Sequence, residues 1–132
     1  MKQEGFQIMK LFVFIAFGMG LMMQTAFADG DALNGEKVFK KCMACHTAAD
    51  KTNKVGPYLA GIVGRKVAVA EGFNYSDGMK EYAATGAVWD EATLTTYLAS
   101  PKAVVPKTKM AFAGIKKPDE LVDLIAYLKG KM

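Results

Sequence analysis

Hydrophobic and polar positions follow a helical period in four stretches of the chain and show no sustained period between them. Residues 31–41 place Leu33, Val38 and Phe39 against Lys37, Lys40 and Lys41, behind Asp31 as a capping residue. Gly35 inside this stretch costs about 1 kcal/mol relative to Ala. Such a glycine ends a helix or lets another backbone come close. A short helix is expected over about Ser76–Ala84 and another over about Asp90–Ala99, where Leu94, Tyr97 and Leu98 form an i, i+3, i+4 stripe stopped by Pro101. A last helix starts with Pro118 at its first position, carries Asp119 and Glu120 in its first turn, and ends at Lys129-Gly130. Its buried face is Leu121, Leu124, Ile125 and Leu128. Thr47 to Tyr75, punctuated by Gly56-Pro57, Gly61, Gly64 and Gly72, reads as loop, as do residues 100–117. No stretch reads as a strand, and the expected fold class is all-α. A loop as long as 47–75 is unusual unless it wraps something.

The N-terminal 28 residues lie outside this pattern. Lys2 and Lys10 give a basic start, Leu11–Met23 an apolar core of 13 residues, and Ala26-Phe27-Ala28 a small-x-small cleavage site. A spanning helix needs about 20 apolar residues, so a signal peptide over 1–28 is expected rather than a retained anchor. A mitochondrial transit peptide fits poorly, because the segment has Glu4 and neither Arg nor Ser. Residues 29–132 then form one domain, which at this size buries only about 65% of its unfolded surface. Without Lys2, Lys10 and Glu4 the formal net charge falls from +4 to +3. Nothing in this balance points to nucleic acid.

The chemistry sits in Cys42-Met43-Ala44-Cys45-His46. C-x-x-C-H is the attachment signature of c-type haem: two thiols add to the haem vinyl groups, and the adjacent histidine offers an imidazole to the iron. Three other readings fit less well. A thioredoxin-like dithiol needs a preceding strand. A structural zinc site needs four ligands, and this chain has two Cys and one His. A disulfide between residues so close closes too small a loop to stabilise much.

The identity of the second axial ligand separates electron transfer from ligand binding and catalysis. His46 is the sole histidine, which leaves Met43, Met79, Met110 and Met132 after the signal segment. Met43 lies inside the motif, Met79 fits equally well as core filler, and Met132 is terminal. Met110, in a loop stiffened by Pro106, is the best candidate, with Met79 still open.

The segments Gly35-x-x-x-Phe39, Cys42–His46, Gly56-Pro57-x-Leu59-x-Gly61, Gly64-Arg65-Lys66, Tyr75, Trp89, Tyr97-Leu98, Pro101, Thr108-Lys109-Met110-x-Phe112-Ala-Gly114 and Leu124–Leu128 resemble class I cytochrome c. The resemblance runs in order through nearly all of residues 31–130 and implies three to five helices around one covalent haem c. It also implies that Met110 is the axial methionine. The Pro57 carbonyl would accept the other imidazole N–H of His46. Arg65, Tyr75, Trp89 and Thr108 would surround the haem propionates, and the Tyr97 hydroxyl would lie near the methionine sulfur. Gly35 and Phe39 would pack on Leu124 and Tyr127. Met79 and Lys107 depart from the family, which often has a polar residue and a glycine there.

The implied activity is that of a monomeric periplasmic electron carrier, not an enzyme. Its partners would be acidic docking patches on membrane-bound redox complexes: a quinol–cytochrome c oxidoreductase, a terminal oxidase or a photosynthetic reaction centre. Lys102, Lys107, Lys109, Lys116 and Lys117 in the second loop, with no acidic residue among them, are the expected basic rim. Lys131 is read as a frayed terminus. Two alternatives remain: a peroxidase or gas-binding protein with an open sixth site, or a haem subunit of a larger respiratory complex.

Overall fold

The computed structural model describes residues 29–131; the expected signal segment and its cleavage site lie outside them. Five helices are found among the described residues: α1 Ala32–Phe39, α2 Asp77–Ala84, α3 Glu91–Ala99, α4 Pro101–Val104 and α5 Pro118–Lys129. The first three begin at side-chain caps. Asp31 accepts from the Leu33 and Asn34 amides at 2.8 and 3.3 Å, Ser76 from Met79 at 3.2 Å, and Asp90 from Thr93 at 2.8 Å. Helix α5 starts without a side-chain cap, on Pro118, whose missing N–H needs none.

Two sequence expectations change. The loop over 100–117 contains α4, a single turn: Pro101 ends α3 and also serves as the first residue of the next helix. Lys131 is not frayed. Its carbonyl accepts from the Gly61 amide at 2.5 Å, and its ammonium lies 4.7 Å from the Tyr127 ring centroid.

Helices α1 and α5 cross closely, and Gly35 is the reason they can. A Cβ at this buried glycine would stand 2.6 Å from the Asp123 carbonyl carbon and 2.7 Å from the Tyr127 Cβ. One turn along, Phe39 meets Tyr127 at 5.2 Å between ring centroids. The crossing is closed at both ends, by the Asp31 amide on Asp123 Oδ1 at 2.7 Å and by Lys41 on Glu120 at 2.7 Å. Leu124, at 1% exposure, lies in the shared core with Val38, Phe39, Leu94, Leu98, Leu121, Ile125 and Leu128.

The long segment 47–75 holds no helix, in keeping with the sequence reading. One isolated antiparallel bridge, Lys66 to Val88, links it to the residues before α3. The Trp89 amide donates to the Arg65 carbonyl and the Gly64 amide to the Trp89 carbonyl, both at 2.8 Å, so Arg65 and Trp89 are held side by side.

Candidate functional site: a c-type haem cleft

After α1 the chain turns tightly through the C-x-x-C-H motif. The Cys42 amide bonds the Phe39 carbonyl at 2.8 Å, and the amides of Cys45 and His46 return to the Cys42 carbonyl at 3.1 and 2.9 Å. This turn sets both thiols and the imidazole along one wall of a cavity of about 470 Å³. That volume falls within the roughly 300–1,000 Å³ usual for cofactor sites. The two cysteines form no disulfide. Burial pushes the Cys42 thiol up, against a smaller downward pull from Lys41, so it is not a thiolate primed for disulfide exchange.

The imidazole is fixed from behind. His46 Nδ1 lies 2.7 Å from the Pro57 carbonyl oxygen, which can only accept, so Nδ1 carries the proton and the Nε2 lone pair is free. Gly56 makes room for this ring, because a Cβ there would run into the imidazole. Burial lowers the His46 pKa against the opposing pull of the Pro57 hydrogen bond, with a smaller push in the same direction as burial from the Lys54 charge, which favours the neutral ligand form.

Met110, which lines the same cavity, sits in a loop with little backbone bonding of its own. The Thr108 amide donates to the Val105 carbonyl at 3.0 Å, and the Met110 amide to the Thr108 hydroxyl at 3.2 Å. The Tyr97 hydroxyl, on α3, donates to the Met110 sulfur at 3.4 Å. Burial raises the Tyr97 pKa, which keeps the phenol protonated and therefore a donor. Met79 also lines the cavity.

The remaining expected residues are all at the same cavity. Arg65 donates to the Tyr58 and Ala60 carbonyls at 2.9 and 3.1 Å and packs 4.7 Å from the Tyr58 ring centroid. Two of its five N–H groups are thus used and the others are left for an anion. The Tyr75 hydroxyl accepts from the Ala70 amide at 3.0 Å, which leaves its own proton to give. Buried Trp89 packs between Tyr82 and Tyr97, at 6.0 and 4.8 Å between centroids. Leu59, Ile62, Phe73, Leu94, Leu98 and Phe112 supply apolar walls.

Sequence reasoning passed over Asn53, and took Ser76 only as the start of a helix, not as part of the cavity. The Asn53 amide group bridges the Tyr58 amide at 3.1 Å and the Glu71 carbonyl at 2.8 Å, tying two parts of the long loop together. Ser76 is a buried polar residue on the cavity wall, and its capping position before α2 was the signal available.

This donor set fits a haem: a largely apolar cavity lined by two cysteines, an imidazole whose Nδ1 is held by a carbonyl, and a methionine thioether. Fold and cleft together define a c-type haem protein. The cytochrome c family model matches residues 32–131, and the chain belongs to that family, whose haem c is covalently bound. A cytochrome c2 of Rhodomicrobium vannielii is 50% identical over 105 residues, covering 79% of this chain and 82% of that protein. A cytochrome c-550 of Ancylobacter novellus is 54% identical over 96 residues, covering 72% and 90%. Among solved structures, cytochrome cH from Methylobacterium extorquens superposes with a TM-score of 0.71 at 48% identity, covering 77% of this chain and all of that one.

Proposed function

We propose that this cytochrome c is a single-electron carrier, not an enzyme, with His46 and Met110 as the axial ligands of one haem attached to Cys42 and Cys45. One observation carries the reading. His46 and Met110 line a single apolar cavity, and each is aimed by one hydrogen bond: His46 donates to the Pro57 carbonyl, and the Met110 sulfur accepts from Tyr97. Bound there, the haem supplies an iron that takes up and releases one electron.

The chain's own residues keep that exchange inexpensive in reorganisation. Pro57 holds the His46 proton at Nδ1, and Tyr97 and Thr108 restrain the thioether and its backbone. The apolar walls exclude water, which favours the less charged form. Arg65 and Tyr75 have donors left for the propionate carboxylates, and Trp89 and Thr108 complete that side.

The resemblance and the cytochrome c2 relatives support acidic docking patches of membrane-bound redox complexes as partners. The basic start, apolar core and small-residue cleavage pattern of residues 1–28 support export to the periplasm. Among the described residues no helix is long and apolar enough to cross a membrane.

The test is the absorption spectrum of ferric holoprotein made in a host with haem-attachment machinery. The weak red band of thioether sulfur on ferric iron is expected, with slow cyanide uptake. Rapid uptake without that band would instead support a gas-binding protein or peroxidase.

A further inference from the structure

Lys116 belongs to the basic run around Met110, yet its ammonium is turned onto the protein. It donates to the Ala99 carbonyl at 2.7 Å and to the Ala113 carbonyl at 3.0 Å. Ala99 is the last residue of α3, where backbone carbonyls lack helical partners and carry the negative end of the helix dipole. Ala113 lies three residues beyond Met110 in the same loop.

Between Met110 and Ile115 the loop has no backbone–backbone hydrogen bond among the described residues. It is fastened to α3 just afterwards, where the Ile115 amide donates to the Leu98 carbonyl at 2.8 Å. Gly114, at φ +102°, passes so close to the Ala99 carbonyl that a Cβ would run into it. The Lys116 ammonium closes this crossing from outside. Helix α3 also carries Tyr97, which holds the Met110 sulfur. The last turn of one helix therefore sets both the sulfur's hydrogen bond and the anchor of the loop that presents the sulfur.

We propose that Lys116 is a positioning residue for Met110: its ammonium staples the end of α3 to the ligand loop and limits how often the thioether withdraws from the cleft. This rests on the reading of Met110 as the axial ligand. It separates Lys116 from Lys117, whose ammonium is instead paired with Glu120 at 3.5 Å.

The experiment uses ferric holoprotein and reads cyanide uptake, the thioether absorption band and amide exchange at Ile115. Lys116→Gln should speed uptake and Ile115 exchange on the order of tenfold, the scale of one lost charge-assisted hydrogen bond. Lys116→Arg, which can serve both carbonyls, should stay close to wild type, as should Lys117→Gln. The unfolding equilibrium in denaturant should shift by no more than that same tenfold. The proposal is overturned if Lys116→Gln matches wild type, if Lys117→Gln speeds uptake equally, or if global stability falls by clearly more than that tenfold. Met110→Ala in parallel separates the two readings. If it abolishes the band while Lys116→Gln changes nothing, only the staple fails. If it leaves the band intact, the ligand assignment fails and the staple with it.

Discussion

The Tyr97 hydroxyl donates to the sulfur of Met110 across 3.4 Å, in a buried setting that keeps the phenol protonated. A hydrogen bond on a ligand sulfur draws electron density from it and so favours the ferrous state. A neutral hydrogen bond is worth about 0.5–1.5 kcal/mol, on the order of 20–60 mV for a one-electron couple. Tyr97→Phe is expected to lower the potential within that range while keeping the thioether band. A potential equal to wild type in an equilibrium redox titration would mean that this contact does not tune the iron.

Two methionines line the cavity, and only one has a hydrogen-bonded sulfur among the described residues. Met110→Ala should abolish the thioether band, lower the potential and admit cyanide or imidazole. Met79→Ala should leave the band in place and cost stability by the removal of part of the core, about 2–5 kcal/mol at a fully packed site and less here, where Met79 is only partly buried. The reverse pattern would transfer the ligand role to Met79.

Gly35 faces the Asp123 carbonyl and the Tyr127 side chain with no room for a Cβ. Gly35→Val should destabilise the holoprotein by about 1–3 kcal/mol through overpacking. Its better helix propensity offsets only a fraction of that. Denaturant titration followed by Trp89 fluorescence would decide it, and an unchanged midpoint would show that α5 can move aside.

The elements legible in the sequence are those with local causes. Asp31, Ser76, Asp90 and Pro118 each mark a helix start through chemistry confined to a few residues, and all four starts are found. Helix α4 was missed because four residues show no hydrophobic period, and Pro101 had already been read as a stop. At the site, the motif could be named from its local spacing, and Pro57 from the family resemblance alone. The fate of the lysines could not, because a charge's partner depends on distant chain. Lys107 finds Glu81 at 3.4 Å, Lys41 finds Glu120 at 2.7 Å, and Lys116 finds two carbonyls. Lys131, at the end of the chain, is held by Gly61 and Tyr127, neither of which its neighbours in sequence reveal.

That sorting sharpens the docking surface. Of the lysines in residues 100–117, Lys102 and Lys109 make no ion pair or side-chain hydrogen bond among the described residues, and Lys109 lines the mouth of the cleft. Lys102 lies on α4, exposed and off the cavity wall. A free cation beside the haem edge acts on an acidic partner through the association rate, and salt screens it over about 8–10 Å. A cation already neutralised by Glu81 or Glu120 has less field to offer. Lys109→Glu is therefore expected to slow second-order electron transfer to a redox complex most at low ionic strength, and Lys102→Glu less. Lys37→Glu should slow it least, since it lies on α1, no residue of which lines the cavity. All three rates should converge as salt rises. Stopped-flow rates across a salt series check the order, and equal slowing by the three reversals would mean that net charge alone governs the encounter and that the cleft mouth is not the docking face.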